Sequence, residues 1–172
     1  MGDITKVKLG SCSVNFDGTD LGHTKGGVEI SYDPDFTDIT VDLYGDTPVD
    51  KRLKAENFSV KIPLAEKTYN VLKAAIPSGT YFSTGGHNKL TIGKQAGFSL
   101  ASVAKRLVLH PTENATTNKD DDVVMWSAVS IDEVSLPHKF DEQTIIEVTM
   151  MALINENMSA GNYLATIGDT TI

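Results

Sequence analysis

Four histidines and one cysteine are the residues of this chain best suited to bind a transition metal or to act as nucleophiles. His23, His87, His110 and His138 are scattered at no metal-ligand spacing, and Cys12 has no second thiol with which to form a disulfide or a cysteine zinc site. A lone cysteine in a strand-like stretch is typical of a small core residue. We therefore predict no metal, no cofactor and no chemical role for Cys12.

The acidic and glycine-rich segments also lack the spacing that catalysis or phosphate binding requires. Residues 120–122 are three consecutive aspartates, but the glycine and closing glutamate of a calcium loop are missing. The glycine pairs at 26–27 and 85–86 are not part of a phosphate-binding motif, and no G-x-S-x-G motif for a nucleophilic serine occurs. We expect a chain that is not an enzyme.

The charge balance argues against a protein that binds nucleic acid by neutralising phosphates. The 172 residues include 23 acidic and 15 basic side chains, for a formal net charge of −8. No apolar run approaches the roughly 20 residues needed to cross a bilayer, and the N-terminal residues lack the basic-then-apolar layout of a signal peptide. We expect synthesis in a cytosol and no membrane partner.

The elements that would position any site are mostly strands, because apolar and polar residues alternate along much of the chain. The alternation is clearest at residues 28–33, 37–43 and 58–62. In the second of these, it predicts that Ile39, Val41 and Leu43 point inward. Further strands are predicted at residues 5–9, 11–16, 89–92, 105–110, 123–134 and 143–154.

Helical periodicity is convincing only at residues 64–76, which Pro77 and Gly79 end. The last two predicted strands are apolar on both faces, as central strands or subunit contacts would be. The chain is therefore predicted to be one mainly β domain over residues 1–172, a sandwich or barrel-like fold with one flanking helix. Residues 111–122, which lack large apolar anchors, are predicted to be a mobile loop, and residues 80–87 a second one.

One block of the sequence resembles the tail tube, or major tail, proteins of siphophages. The block reads GHTKGGVEISYDP at residues 22–34 and ITVDLYGDTPVD at residues 39–50, and it is followed by the strand FSVKIPLAE at residues 58–66. Those proteins often carry a G-x-T-x-G-G-V strand, a Y-x-P step and a V-D-x-x-G-D-T-P-V-D hairpin. Leu43 departs from the pattern, which usually has a polar residue at this position. The resemblance covers residues 20–76.

The resemblance implies a subunit that forms hexameric rings, which stack into the tube of a phage tail. Genome DNA would pass through the lumen without specific binding, and the other partners would be the tape measure, tail tip and tail terminator proteins. The protein would be assembled in the host bacterial cytoplasm and located in the virion. The implied inter-ring or inter-subunit contacts are made by Asp46, Thr47, Pro48, Asp50, Lys51, Glu113, Asn114, Asp120 and Asp121.

The alternation at residues 37–43 places Asp38, Thr40 and Asp42 on one strand face, opposite the apolar side chains. In a hexameric ring these three residues are candidates for lining the lumen, where acidic belts would repel DNA. The alternative, in which Asp38 and Asp42 face solvent outside the tube, remains open.

Two other classes of function also remain open. The first is a different virion protein with a β-sandwich fold, such as a decoration or capsid-associated protein. The second is a carbohydrate-binding β-sandwich, which would present exposed aromatic residues. The only tryptophan, Trp126, lies in an apolar stretch and is predicted to be in the core.

Overall fold

The structure is a computed structural model that describes residues 10–136 and 143–171. The chain is mainly β with antiparallel sheets and one α-helix, which confirms the predicted class. The strand predicted at residues 5–9 lies outside the described residues. The elements are β1 (Cys12–Phe16), β2 (Thr19–Asp20), β3 (Glu29–Ile39), β4 (Asp50–Leu64), α1 (Tyr69–Ala75), β5 (Thr80–Thr84), β6 (His87–Thr91), β7 (Lys105–Pro111), β8 (Val123–Ser130), β9 (Ile146–Ala152) and β10 (Ala165–Ile167).

Eight of these strands form one antiparallel sheet in the order β2-β1-β7-β8-β9-β4-β3, with β10 beside the start of β8. The segment after β2 joins the two sides of this sheet. Leu21 N donates to Val14 O at 2.9 Å, and Lys25 N donates to Pro63 O at 2.9 Å, so one short segment bonds to both β1 and β4. The sheet is therefore a partly closed barrel, and β3 continues beyond the closure as an edge strand.

The core lies inside this barrel and follows the period-2 pattern of the strands. From Phe58 onward in β4, and along the whole of β9, alternate residues point inward and are buried. On α1, Val71, Ala74 and Ala75 are buried against the same cluster. The inward residues of these two strands are Phe58, Val60, Ile62, Leu64, Ile146, Val148, Met150 and Ala152.

The helix is shorter than the predicted span of residues 64–76. Leu64 is the last residue of β4 and pairs with Ile146 of β9, so the chain is still extended there. Thr68 is the N-cap: its backbone is extended, and its side-chain hydroxyl accepts a hydrogen bond from Val71 N at 3.3 Å. Of the apolar residues from Leu64 onward, the first ends a strand and the later ones belong to the helix. The apolar periodicity alone predicts a single helix over all of them.

The predicted strands at residues 28–33 and 37–43 are one strand, β3, which pairs along its whole length with β4. The register shifts between Asp35 and Phe36, where Lys54 is the extra residue of a β-bulge in β4. β3 ends at Ile39, and a 3-10 turn at Asp42–Tyr44 follows. The predicted inward position of two apolar residues here is wrong: Val41 and Leu43 lie on this turn segment and are exposed, Leu43 by 82%.

β8 and β9 are central strands, as their two-faced apolar pattern suggested, although each is shorter than predicted. Trp126 of β8 is half-buried and lies outside the core cluster. Its indole Nε1 donates to Asn162 Oδ1 at 2.9 Å, and the Arg106 guanidinium lies 5.5 Å from its ring. Residues 80–87, predicted as a loop, contain β5 and the turn of the β5–β6 hairpin.

The antiparallel order gives the barrel two distinct ends. β7, β9 and β3 run in one direction and β8 and β4 in the other, because each neighbouring pair is antiparallel. The β3–β4 turn (residues 40–49) and the β7–β8 connection (residues 112–122) therefore lie at the same end, which we call the hairpin end. α1 follows β4 at the opposite end, which we call the helix end.

Candidate assembly surfaces

A stripe of exposed apolar side chains runs along the β3–β4 hairpin. In the register, Ile30 pairs with Val60, Tyr32 with Phe58, and Phe36 with Leu53, so these residues share one face. Val60 and Phe58 are buried in the barrel core. The remaining four, Ile30, Tyr32, Phe36 and Leu53, lie beyond the core and are 42–55% exposed; we call them the apolar stripe.

The stripe is exposed because of where β3 lies in the sheet. β3 is an edge strand, and among the described residues it pairs only with β4. Its alternating pattern is that of a half-buried strand, but no described element covers the apolar side of its outer part. A long edge strand with an apolar face is a template for pairing with another chain.

The opposite face of the hairpin is polar and carries charges of both signs. Asp33 and Asp35 lie on this face, and Asp35 forms an ion pair with Lys54 at 2.9 Å. Lys61 lies there too, and its ammonium is 2.9 Å from the carboxylate of Glu147, which raises the pKa of Lys61. The hairpin is thus two-faced. One side is charged, and the other is mainly apolar and continuous with the core, although it also carries Glu56 and the Asp38–Lys51 pair.

The three residues predicted to share a lumen face do not lie on one strand face. Asp38 belongs to β3 on the same face as Phe36, and its carboxylate contacts Lys51 Nζ at 2.9 Å. Thr40 follows the end of the strand, and Asp42 begins the 3-10 turn. The apolar residues occupy even positions up to Phe36 and odd positions after it, but β3 has no bulge of its own that would move the odd positions to the other face. The alternation after Phe36 therefore misplaces these three residues. Whether any of them faces a channel stays a prediction.

Five of the predicted contact residues cluster at the tip of the hairpin. All five are exposed, and Lys51 and Asp50 are the first residues to pair back on β3. Asp50 Oδ1 accepts from Lys51 N at 2.8 Å, and its other oxygen is 3.7 Å from Arg52 Nε. The cluster consists of Asp46, Thr47, Pro48, Asp50 and Lys51.

The other four predicted contact residues, Glu113, Asn114, Asp120 and Asp121, lie in the β7–β8 connection, at the same end as the tip. Asn114 Nδ2 donates to Asp121 Oδ2 at 2.9 Å across this connection. At its end, Asp122 is buried and hydrogen-bonded to His110 Nδ1 at 2.6 Å. The structure thus brings both groups to the hairpin end, while the predicted mobility of residues 111–122 stays a prediction.

Part of the helix end belongs to a long segment without acidic residues, a feature that no motif revealed. No aspartate or glutamate occurs between Glu66 and Glu113, whereas six lysines and arginines occur there. This acid-free segment contains α1, the β5–β6 hairpin and all of β7. The rest of the chain holds all 23 acidic residues. A count of charges along the chain, rather than a motif, would have found this segregation.

The helix end also contains a cavity of about 200 Å³ between α1 and the barrel. Lys73, Lys105 and Asn70 line it, and Phe16 is its one aromatic lining residue. A sugar-binding site usually offers several aromatic faces, so this cavity does not favour the carbohydrate-binding alternative.

A scan against protein-family models and a search of curated proteins found no match to this chain. In residues 10–136 and 143–171, no group of three or more histidine, cysteine or acidic side chains is arranged to hold a metal ion. No helix of the described part of the chain is long and apolar enough to span a membrane.

Proposed function

We propose that this chain is the tail tube subunit of a long-tailed bacteriophage, which polymerises as stacked hexameric rings and conducts genome DNA. The sequence blocks at residues 22–34 and 39–50 support the family, and the mainly β fold with one helix fits it. The role is structural, without catalysis, and the virion partners are the tape measure, tail tip and tail terminator proteins.

The observation that carries the proposal is the apolar stripe on the edge of the sheet. Full burial of one such side chain contributes about 1.5–3 kcal/mol, so covering the exposed halves of four of them contributes several kcal/mol per contact. The free edge of β3 adds unpaired backbone groups that a second strand can bond. Both features favour a subunit that is completed by neighbouring copies, and ring closure removes the exposed edge.

The two-faced hairpin also suggests which side would meet DNA. If neighbouring subunits cover the apolar stripe, the opposite face with Asp33 and Asp35 is left to line a channel. A duplex carries one negative charge per ~1.7 Å of its axis, and a wall holds it by replacing its counterions. On this face Arg52, Lys54 and Lys61 are each paired with a carboxylate, so few free cations are left to do so. DNA would then slide along the wall without adhering.

The direct test is assembly of the purified full-length chain, followed by negative-stain microscopy and sedimentation over a range of concentrations. We expect rings or open-ended tubes with sixfold symmetry, with a tail tip complex added as nucleus where the subunit alone is slow to start. A chain that stays monomeric under all these conditions, and that is absent from purified virion tails by mass spectrometry, contradicts the proposal. Binding to intact capsids instead would identify a decoration protein, and a change of size with sugars would identify a carbohydrate-binding module.

A further inference from the structure

We infer that successive rings dock head to tail through two surfaces of opposite charge, one at each end of the barrel; this rests on the proposed function. The partner on both surfaces is a second copy of this chain. The first, the acidic surface, is formed by Asp42, Leu43, Tyr44, Asp46 and Asp50 at the hairpin end. The second, the basic surface, is formed by Phe82, Lys89, Ile92, Lys94 and Phe98 at the helix end.

The acidic surface combines exposed apolar side chains with carboxylates, of which Asp50 lies 3.7 Å from Arg52 Nε. Leu43 is 82% exposed and Tyr44 is 60% exposed, on a turn held by Tyr44 N donating to Val41 O at 3.0 Å. In the described part of the chain, neither Asp42 nor Asp46 forms an ion pair. The tip therefore presents a small apolar centre with a negative rim.

The basic surface has the complementary composition. Phe82 and Ile92 are exposed, the latter by 67%. Lys89 lies 5.2 Å from the Phe82 ring and Lys94 lies 5.6 Å from the Phe98 ring, so each ammonium borders an apolar group. Within the described residues, neither lysine contacts a carboxylate. This surface therefore has an apolar centre and a positive rim, as one side of a protein–protein interface often has.

The basic surface is fixed to the helix end by packing. Tyr81 of β5 contacts Tyr69 of α1 with ring centroids 5.8 Å apart, and Lys94 Nζ donates to Thr80 Oγ1 at 3.0 Å. Acidic side chains also lie at this end, Asp132 beside Ile76 and Asp17 3.8 Å from Lys105 Nζ, so the basic surface is limited to the β5–β6 side. The acidic surface is at the hairpin end of the main sheet, and the basic surface is on the separate β5–β6 sheet beside α1 at the helix end. A contact between them repeats along one direction, which generates an open filament.

Charge complementarity would mainly guide the encounter between rings and set their polarity. Oppositely charged surfaces raise association rates by about 10–1000-fold at low ionic strength. Contacts between two hairpin ends would place acidic groups against acidic groups and are disfavoured. The arrangement therefore selects head-to-tail stacking over the two symmetric alternatives.

The test exchanges the charges of the two surfaces. The variant K89E/K94E makes the basic surface acidic and leaves α1 unchanged, and the variant D42K/D46K makes the acidic surface basic. Each variant alone should form rings but elongate at least about tenfold more slowly than the wild type. An equimolar mixture should elongate with the two kinds of ring alternating, and a single chain with all four changes should elongate by itself.

The chain with all four changes is also the matched control, because its net charge equals that of the wild type. Elongation of the wild type should slow when salt rises from ~0.01 M to ~1 M, which shortens the Debye length from about 30 Å to about 3 Å.

If the wild type forms tubes and both single-surface variants elongate at the wild-type rate, the inference is wrong while the proposed function stands. If K89E/K94E stacks normally and only D42K/D46K fails, the contact joins two hairpin ends or a different partner surface. Absence of any ring or tube from the wild type would instead contradict the proposed function.

Discussion

Phe36 and Leu53 face each other across the β3–β4 hairpin, and each residue is 51% exposed. Changing both to serine, F36S/L53S, should leave the free energy of unfolding of the subunit within about 1 kcal/mol of wild type, because neither residue is in the core. The same change removes apolar area that a neighbouring subunit would cover. We expect a folded chain that no longer forms rings, measured by circular dichroism and sedimentation velocity.

The control for this variant is the adjacent cross-strand pair on the polar face, Thr37 and Arg52. The variant T37S/R52S alters the same region of the hairpin without touching the apolar stripe, and it should still assemble. Normal ring formation by F36S/L53S would remove the stripe from the subunit contact.

The sequence predicts where the strands lie better than it predicts what packs against them. The alternation of Ile30 and Tyr32 correctly predicted a strand, but alternation only separates two faces and does not reveal whether anything covers the apolar one. The phase change after Phe36 predicts the face of a new strand, which misplaces Asp38 and Asp42. The contacts of the helix end depend on residues far apart in the chain, such as Tyr69 and Tyr81, and no local pattern encodes them.

Asn162 connects the C-terminal segment to β8. Its side-chain oxygen accepts hydrogen bonds from Trp126 Nε1 and from Thr166 Oγ1. Replacing it with alanine, N162A, leaves the half-buried indole nitrogen without this partner and should lower the free energy of unfolding by about 1–3 kcal/mol. The variant N162D keeps an acceptor and should lose less. Trp126 is the only tryptophan, so its fluorescence reports both transitions in urea; equal stability of N162A and wild type would contradict this role.

Cys12 is half-buried at the start of β1, and burial raises the pKa of its thiol. Because only the thiolate reacts, a raised pKa lowers the reactive fraction at any given pH near neutrality. We expect alkylation of the folded chain at about pH 8 to be at least tenfold slower than alkylation of the urea-unfolded chain. Mass spectrometry of timed samples measures both rates. Equal rates in the two states would show that Cys12 is freely accessible.

The β7–β8 connection should gain protection only on assembly. Its centre, residues 113–119, is polar and is held mainly by short turns such as Asn118 N donating to Ala115 O at 2.8 Å. We expect fast amide hydrogen exchange there in the subunit and slow exchange in the tube. Deletion of residues 113–119 should permit folding and ring formation but hinder stacking. Slow exchange already present in the monomer would contradict the predicted mobility.

The last prediction concerns which face of the hairpin lines the channel. Asp33 lies on the polar face opposite Asn57, whereas Asp38 lies on the face of the apolar stripe opposite Lys51. The variants D33K and D38K change the net charge by the same amount. Any difference between them therefore reflects the position of the added lysine. If the polar face lines the lumen, tubes of D33K should assemble and present six added lysines per ring to the DNA.

Those lysines would bind phosphates, so DNA ejection from D33K particles should be about tenfold slower at low salt and recover at high salt, because added salt weakens phosphate contacts. D38K would place two lysines opposite each other beside the apolar stripe, and we expect it to impair ring assembly instead. Ejection kinetics from particles of confirmed tail length measure the first effect, and sedimentation measures the second. Normal ejection by D33K, together with salt-dependent slowing by assembled D38K, would place the other face of the hairpin in the channel.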